Sequence, residues 1–196
     1  MTHAANQKAL QWYERSADYY AGLLGPTPPA KLAAPLRKLA ELVGPGNTVL
    51  EVGSGPGRDA DYLESFGVRV RRTDATAAFV EMQRARGKDA EQLDIITDDF
   101  GGPYRGALAY SVLLHISAEL TDQVLAKVAD ALAPGGAFLT SVRASHSASD
   151  GPDISWWEHR DDFAVRVQRA GLRIEWDDHF VDSDDDAWWL FIAVKD

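Results

Sequence analysis

Val49-Leu50-Glu51-Val52-Gly53-Ser54-Gly55-Pro56-Gly57-Arg58-Asp59 is the stretch that decides the fold. Val49, Leu50 and Val52 have the apolar, β-branched character of a strand buried on both faces. Three glycines in five positions follow, where the backbone can take positive φ and a ligand can approach without a Cβ in the way. A helix is expected directly afterwards: Ala60, Leu63 and Phe66 recur at helical spacing, Asp59 and Asp61 complement the first turn, and Gly67 supplies a stop. The bland alternative is an ordinary strand-to-helix turn.

The 196-residue chain is one domain's worth, 45% hydrophobic with six tryptophans, and can bury a sizeable core. Thirty acidic against 20 basic residues leave a net charge of -10, which disfavours phosphate backbones and anionic membranes and suits a small-molecule partner. A local basic strip, Arg69-Val70-Arg71-Arg72, keeps the nucleic-acid reading open. With no cysteine, neither disulfides nor thiolate metal sites nor a thiol nucleophile can be invoked. Residues 1–8 are polar with no apolar segment behind them, and no run approaches the roughly 18 apolar residues of a membrane span. A cytoplasmic protein, monomer or homodimer, without metal is expected.

On the N-terminal side, Leu10, Tyr13, Ala17, Tyr20, Leu23 and Leu24 predict an amphipathic helix over 7–24, rich enough in Trp12, Tyr13, Tyr19 and Tyr20 to cover a pocket as well as pack. Leu32, Leu36, Leu39 and Val43 predict a second helix, and residues 1–44 together read as a helical cap or lid. On the other side, Val68 and Val70 lead to Asp74 in a second strand; a short helix (Phe79, Met82, Ala85), a third strand at Leu93-Asp94-Ile95 and a fourth over 106–114 follow. Ser117 caps a helix with the face Leu120, Val124, Val128 and Leu132, and Pro134-Gly135-Gly136 stops it before a strand over 137–142. A polar loop is expected over 144–155. After a helix through Phe163, Val167 and Ala170, strands over 172–180 and 187–194 are joined by Asp182-Ser183-Asp184-Asp185-Asp186, short enough only for a hairpin.

Alternating strands and helices make a parallel sheet covered on both faces, and such sheets bind ligands at the carboxyl ends of their strands. Asp74 ends the strand after the glycine loop, where a carboxylate accepts both hydroxyls of an adenosine ribose. Two cofactor classes share that geometry: a nicotinamide or flavin dinucleotide, which Gly55-Pro56-Gly57-Arg58-Asp59-Ala60 formally matches, and S-adenosylmethionine. Glu51, Asp59 and Asp61 would repel a pyrophosphate and attract a sulfonium with an ammonium group, so the acids favour the second.

These residues together resemble the class I S-adenosylmethionine-dependent methyltransferases. The glycine motif, the acid in Thr73-Asp74-Ala75-Thr76, Leu93-Asp94-Ile95, the segment from Pro103-Tyr104-Arg105 to Ser111-Val112-Leu113-Leu114-His115, and Leu132-Ala133-Pro134-Gly135-Gly136 stand in family order. The resemblance implies an α/β, Rossmann-like, doubly wound and mostly parallel seven-stranded sheet with an antiparallel terminal strand and helices on both faces. It implies that Glu51, Gly53, Ser54, Gly55 and Gly57 hold the methionine part, Asp74 the ribose, and Asp94 the adenine amino group between Ala75 and Ile95. Ser111 lies where a carbonyl takes the ammonium, and Tyr20 resembles a residue near the carboxylate. Ser54 stands where cysteine is commoner, and Tyr104-Arg105 where Phe-Asp is usual.

Methyl transfer is an in-line displacement that needs alignment and exclusion of water, releasing S-adenosylhomocysteine. A protonated oxygen or nitrogen nucleophile must also lose its proton, and His115, at the end of the fourth strand, is the candidate base. His146 and His159 are weaker candidates. Trp156 and Trp157 are candidates for an acceptor wall or for packing under a loop, and Trp188 and Trp189 alternate faces of the last strand. The reading is a methyltransferase acting on a small-molecule O or N nucleophile. A non-catalytic S-adenosylmethionine-binding regulatory module and an NAD(P)-dependent oxidoreductase are its alternatives.

Overall fold

The computed structural model of the chain describes residues 3–145 and 155–196. Seven strands, β1 (Thr48–Val52), β2 (Arg69–Asp74), β3 (Ala90–Gln92), β4 (Tyr104–Ala109), β5 (Leu132–Arg143), β6 (Leu172–Val181) and β7 (Ala187–Lys195), form one sheet in the order β3-β2-β1-β4-β5-β7-β6. β2, β1, β4 and β5 pair in parallel, whereas β7 runs antiparallel between β5 and β6. The final hairpin therefore places the last strand inside the sheet, not at its edge, which suits the burial of Leu190 through Ala193.

Side chains of β1 alternate between two cores. Leu50 and Val52 join α5 (Ala118–Ala131) and α6 (Arg160–Arg169) on one face; Val49 joins α2 (Ala30–Val43) and α3 (Arg58–Glu64) on the other. Two more helices complete the fold: α4 (Ala77–Ala85) packs against β2 and β3, and α1 (His3–Leu23) packs on α4. The strand order reverses at β1, whose neighbours are β2 and β4, so the carboxyl ends of these three strands form the crevice of a topological switch point.

Several elements differ from the sequence reading. The third strand is Ala90–Gln92; Leu93-Asp94-Ile95 turns away because the Asp94 carboxylate accepts the N–H of Ile96 two residues on, at 2.8 Å. The fourth strand begins at Tyr104 and stops at Ala109. Ser111 takes φ +54, and residues Leu113–His115 close a 3-10 turn in place of the expected strand end. Leu132 belongs to β5, pairing with Tyr104, so the Pro-Gly-Gly turn interrupts that strand between Leu132 and Ala137.

The basic strip is dismantled by ion pairing. Arg72 is 2% exposed and meets Asp61 at 2.7 Å, while Arg71 pairs with Glu91 and donates to the Tyr104 hydroxyl at 2.8 Å. The acidic hairpin is a turn: Asp182 accepts the N–H groups of Asp184 and Asp186, and Asp186 pairs with Arg143. Among the described residues no helix is long and apolar enough to cross a membrane. Most of the polar loop expected over 144–155, His146 included, lies outside the described residues.

Candidate active site

The loop leaving β1 carries its three glycines into three different surroundings. A Cβ on Gly53 would stand 2.4 Å from the Val112 side chain, and one on Gly57 would stand 2.5 Å from Gln83 Oε1. Gly55, at φ +53, has nothing within 4 Å of that position and faces a cavity with about 680 Å³ of atom-free space, counting the part open to solvent. Only at Gly55 does the missing side chain leave room for a ligand.

Asp74, ending β2, turns its carboxylate back onto this loop. One oxygen accepts the Gly55 N–H at 2.8 Å and the other the Thr76 N–H at 2.8 Å. At 6% exposed, its pKa is raised by burial against the pull of these two hydrogen bonds. Ala75, Asp94 and Ile95 continue the cavity wall. The Lys127 amino group, reaching from α5, donates to the carbonyls of Ile95 at 2.9 Å and Ile96 at 3.2 Å and holds that segment in place.

From the segment after β4 come Ser111, Val112 and His115. Left-handed φ is uncommon at a serine and costs of order 1–3 kcal/mol; here the Ser111 N–H, donating to Ser141 Oγ at 2.8 Å, helps to fix it. His115 Nε2 lies 3.0 Å from the Tyr13 hydroxyl, and its Nδ1 is buried without a partner. Burial holds the imidazole to a pKa of about 4, so it is neutral at pH 7.

The roof is α1. Asn6, Ala9, Leu10, Tyr13 and Tyr20 line the cavity, following one helical face. Tyr13 packs edge-on against Tyr20 and His115, and Glu14 fastens the helix by accepting the N–H groups of Ala77 at 2.5 Å and Ala78 at 3.1 Å at the start of α4. Burial raises the pKa of both Tyr13 and Tyr20, keeping the phenols neutral. The sequence marked Tyr13 only as one of several aromatics and did not single out Asn6, Glu14, Thr76 or Tyr110; the spacing of 6, 9, 10, 13 and 20 was the available signal.

Of the residues expected at the site, Tyr20, Gly53, Gly55, Asp74, Ala75, Asp94, Ile95, Ser111 and His115 line this one cavity. Ser54 lines a smaller adjoining recess with Arg58, Asp59 and Tyr110, its hydroxyl accepting from Gln83. Glu51 and Gly57 line neither. The Glu51 carboxyl is buried under the loop with Oε2 unpartnered, its pKa pushed well up by burial and then by Asp59. His159 caps α6, His179 packs on Trp189, Trp157 is buried against Phe163 and Trp156 is 46% exposed; none of them lines the cavity.

This architecture has relatives. No curated protein matches the sequence. Among solved structures, the chain is similar to the [4+2]-cyclase SpnF, with TM-score 0.75 and 15% identity over 97% of this chain and 96% of that one. The Burkholderia thailandensis 1,6-didemethyltoxoflavin-N1-methyltransferase matches with TM-score 0.74 and 18% identity over 100% and 90%. A TehB-like SAM-dependent methyltransferase from Corynebacterium glutamicum matches with TM-score 0.68 and 20% identity over 93% and 99%. At such identities the likeness is one of fold. A family model described as a methyltransferase domain covers residues 27–176, more than half of the sequence, and the chain belongs to that methyltransferase domain family.

Proposed function

We propose that the chain is an S-adenosylmethionine-dependent methyltransferase acting on an oxygen or nitrogen nucleophile of a small molecule, with S-adenosylhomocysteine as product. The observation that carries this reading is the gathering of Gly55, Asp74, Asp94, Ser111 and His115 on one cavity under α1. Its charge fits a cationic cofactor: Asp74 and Asp94 line it, and among the described residues no lysine or arginine does so. A pyrophosphate would find no counter-charge in that cavity, and Arg58 of the adjoining recess is already paired with Asp59 at 2.7 Å, which disfavours the dinucleotide reading. S-adenosylmethionine, when bound, supplies a methyl group already activated by its sulfonium.

In this reading Asp74 accepts from the ribose hydroxyls, Asp94 from the adenine amino group, and Ala75 and Ile95 flank the ring. The open face of Gly55 receives the methionine part beside Ser111 and Tyr20. Roofing by α1 excludes water from the line of transfer. His115 takes the proton of the nucleophile. Although its pKa of about 4 makes it a weak base toward a resting alcohol or amine, a nucleophile gaining a methyl group becomes strongly acidic as the bond forms. Tyr13, bonded to Nε2, orients the ring and offers the proton a neighbouring oxygen.

The test has two parts. Titration calorimetry should show binding of S-adenosylhomocysteine and none of NADH. A screen of small acceptors with a labelled methyl donor should then release S-adenosylhomocysteine. Failure of the folded chain to bind S-adenosylhomocysteine would end the proposal; binding without transfer to any acceptor would favour the regulatory module. That the fold also matches a cyclase is the reason to read the reaction from turnover rather than from architecture.

A further inference from the structure

The glycine loop has a second, inward face, held by a buried polar chain. Gln83 of α4 is fully buried and lines neither the cavity nor the adjoining recess. Its Nε2 donates to the Gly55 carbonyl at 2.9 Å and to Ser54 Oγ at 2.7 Å. Its Oε1 accepts from Arg72 Nη1 at 3.2 Å. Because a guanidinium can only donate, Arg72 decides which way round the Gln83 amide lies and aims its N–H groups at the loop. Arg72 is in turn fixed by Asp61 at 2.7 Å and Glu64 at 2.8 Å, and it reaches the Gly57 carbonyl at 3.4 Å.

Gly55 is thus gripped at both of its backbone polar groups, the N–H by Asp74 and the C=O by Gln83. Gly57 is glycine for the same reason: a Cβ there would come within 2.5 Å of Gln83 Oε1 and 2.8 Å of Arg72 Nη1. That the loop's third glycine makes room for Gln83 rather than for a ligand separates its role from that of Gly55.

We infer that Gln83, oriented by Arg72, is a positioning residue for cofactor binding: it clamps the Gly55 carbonyl so that the loop face presented to the cofactor is preformed. The inference rests on the cofactor reading above. Without the clamp the loop must be ordered at the moment of binding, and affinity falls although no group in contact with the ligand has changed.

Two variants test it. Gln83→Met keeps the volume and removes every hydrogen bond; Gln83→Glu keeps the acceptor for Arg72, which holds the residue in the fold, but has nothing to donate to the Gly55 carbonyl. Val167→Ala, on the buried face of α6, serves as a control for general destabilisation. In both Gln83 variants the amides of Gly53, Ser54, Gly55 and Gly57 should exchange with solvent at least tenfold faster than in the control, with β4 and β5 no less protected than in the control. Affinity for S-adenosylhomocysteine should drop tenfold or more, and the acceptor KM at saturating S-adenosylmethionine should stay within twofold. Loop exchange at the wild-type rate in a folded Gln83→Glu protein, or affinity within twofold of wild type, would overturn the clamp. Loss of S-adenosylhomocysteine binding by the wild type itself would bring down the cofactor reading instead, and loop exchange would still decide whether Gln83 holds the loop.

Discussion

Replacing Asp74 tests the site most sharply, because its carboxylate has two duties. It accepts the Gly55 and Thr76 N–H groups, each at 2.8 Å and almost out of solvent, and in the proposed complex it also accepts from the ribose. Asp74→Ala leaves both N–H groups without an acceptor, at about 1–3 kcal/mol each, or about 2–6 kcal/mol together. Against the roughly 5–15 kcal/mol stability of a domain this loss confuses folding with binding. Asp74→Asn is cleaner. Its amide oxygen can serve one of the two N–H groups, so urea unfolding should show a loss of about 1–3 kcal/mol at unchanged m-value. Affinity for S-adenosylhomocysteine should fall by a further ~1–3 kcal/mol, about fivefold to 150-fold, as the charged acceptor for the ribose is lost. A 2′,3′-dideoxy analogue of the ligand isolates that contact: it should bind the wild type weakly and lose little more on Asp74→Asn. Wild-type affinity in a folded Asn variant, or equal losses for ligand and deoxy analogue, would remove Asp74 from the ribose site.

Other substitutions address the remaining parts. Gly55→Ala should cost about 1 kcal/mol of stability for a side chain at positive φ and abolish S-adenosylhomocysteine binding measured by calorimetry; retained binding would show that the open face at Gly55 is not the cofactor's. His115→Ala should keep S-adenosylhomocysteine affinity and lower turnover by roughly a hundredfold, and wild-type turnover would end its role as base. His115 also predicts a pH effect on folding. Ordinarily near 6.5 and held to about 4, it refuses a proton that the unfolded chain accepts between those values. Its contribution is therefore full above pH 6.5 and falls as pH drops toward 4, by up to about 3 kcal/mol. His115→Phe should flatten that part of the stability profile, and an unchanged profile would refute the burial argument. Lys127→Met should speed hydrogen exchange over residues 93–98 and weaken adenine-dependent binding by about 1–3 kcal/mol; no change in either would mean that the segment holds itself.

Local pattern made the sheet and the glycine loop legible. Val49, Leu50 and Val52 are apolar in a row because both faces of β1 are buried, and the helices announced themselves by apolar spacing and by Gly-Pro stops. Where the reading failed, a local contact overruled propensity. Leu93-Asp94-Ile95 has strand composition, yet the Asp94 side chain competes for the backbone and turns it. The run from Gly106 to Leu114 is apolar nearly throughout, but Ser111 breaks it at positive φ, held there by a serine thirty residues away. The basic strip looked like a surface because charge spacing does not reveal which arginine finds buried acids.

By itself the sequence determined the order of elements, the loop after β1 and the acids that follow β2, since these depend on short-range periodicity and on the conformations glycine permits. Only the tertiary structure decided which glycine faces a ligand, that Glu51 lies beneath the loop, that Gln83 and Arg72 support it from below, and that Tyr13 meets His115 across 102 positions of chain. Those are contacts between elements distant in sequence, set by how helices seat on the sheet and by where buried polar groups find partners, and no local pattern records them.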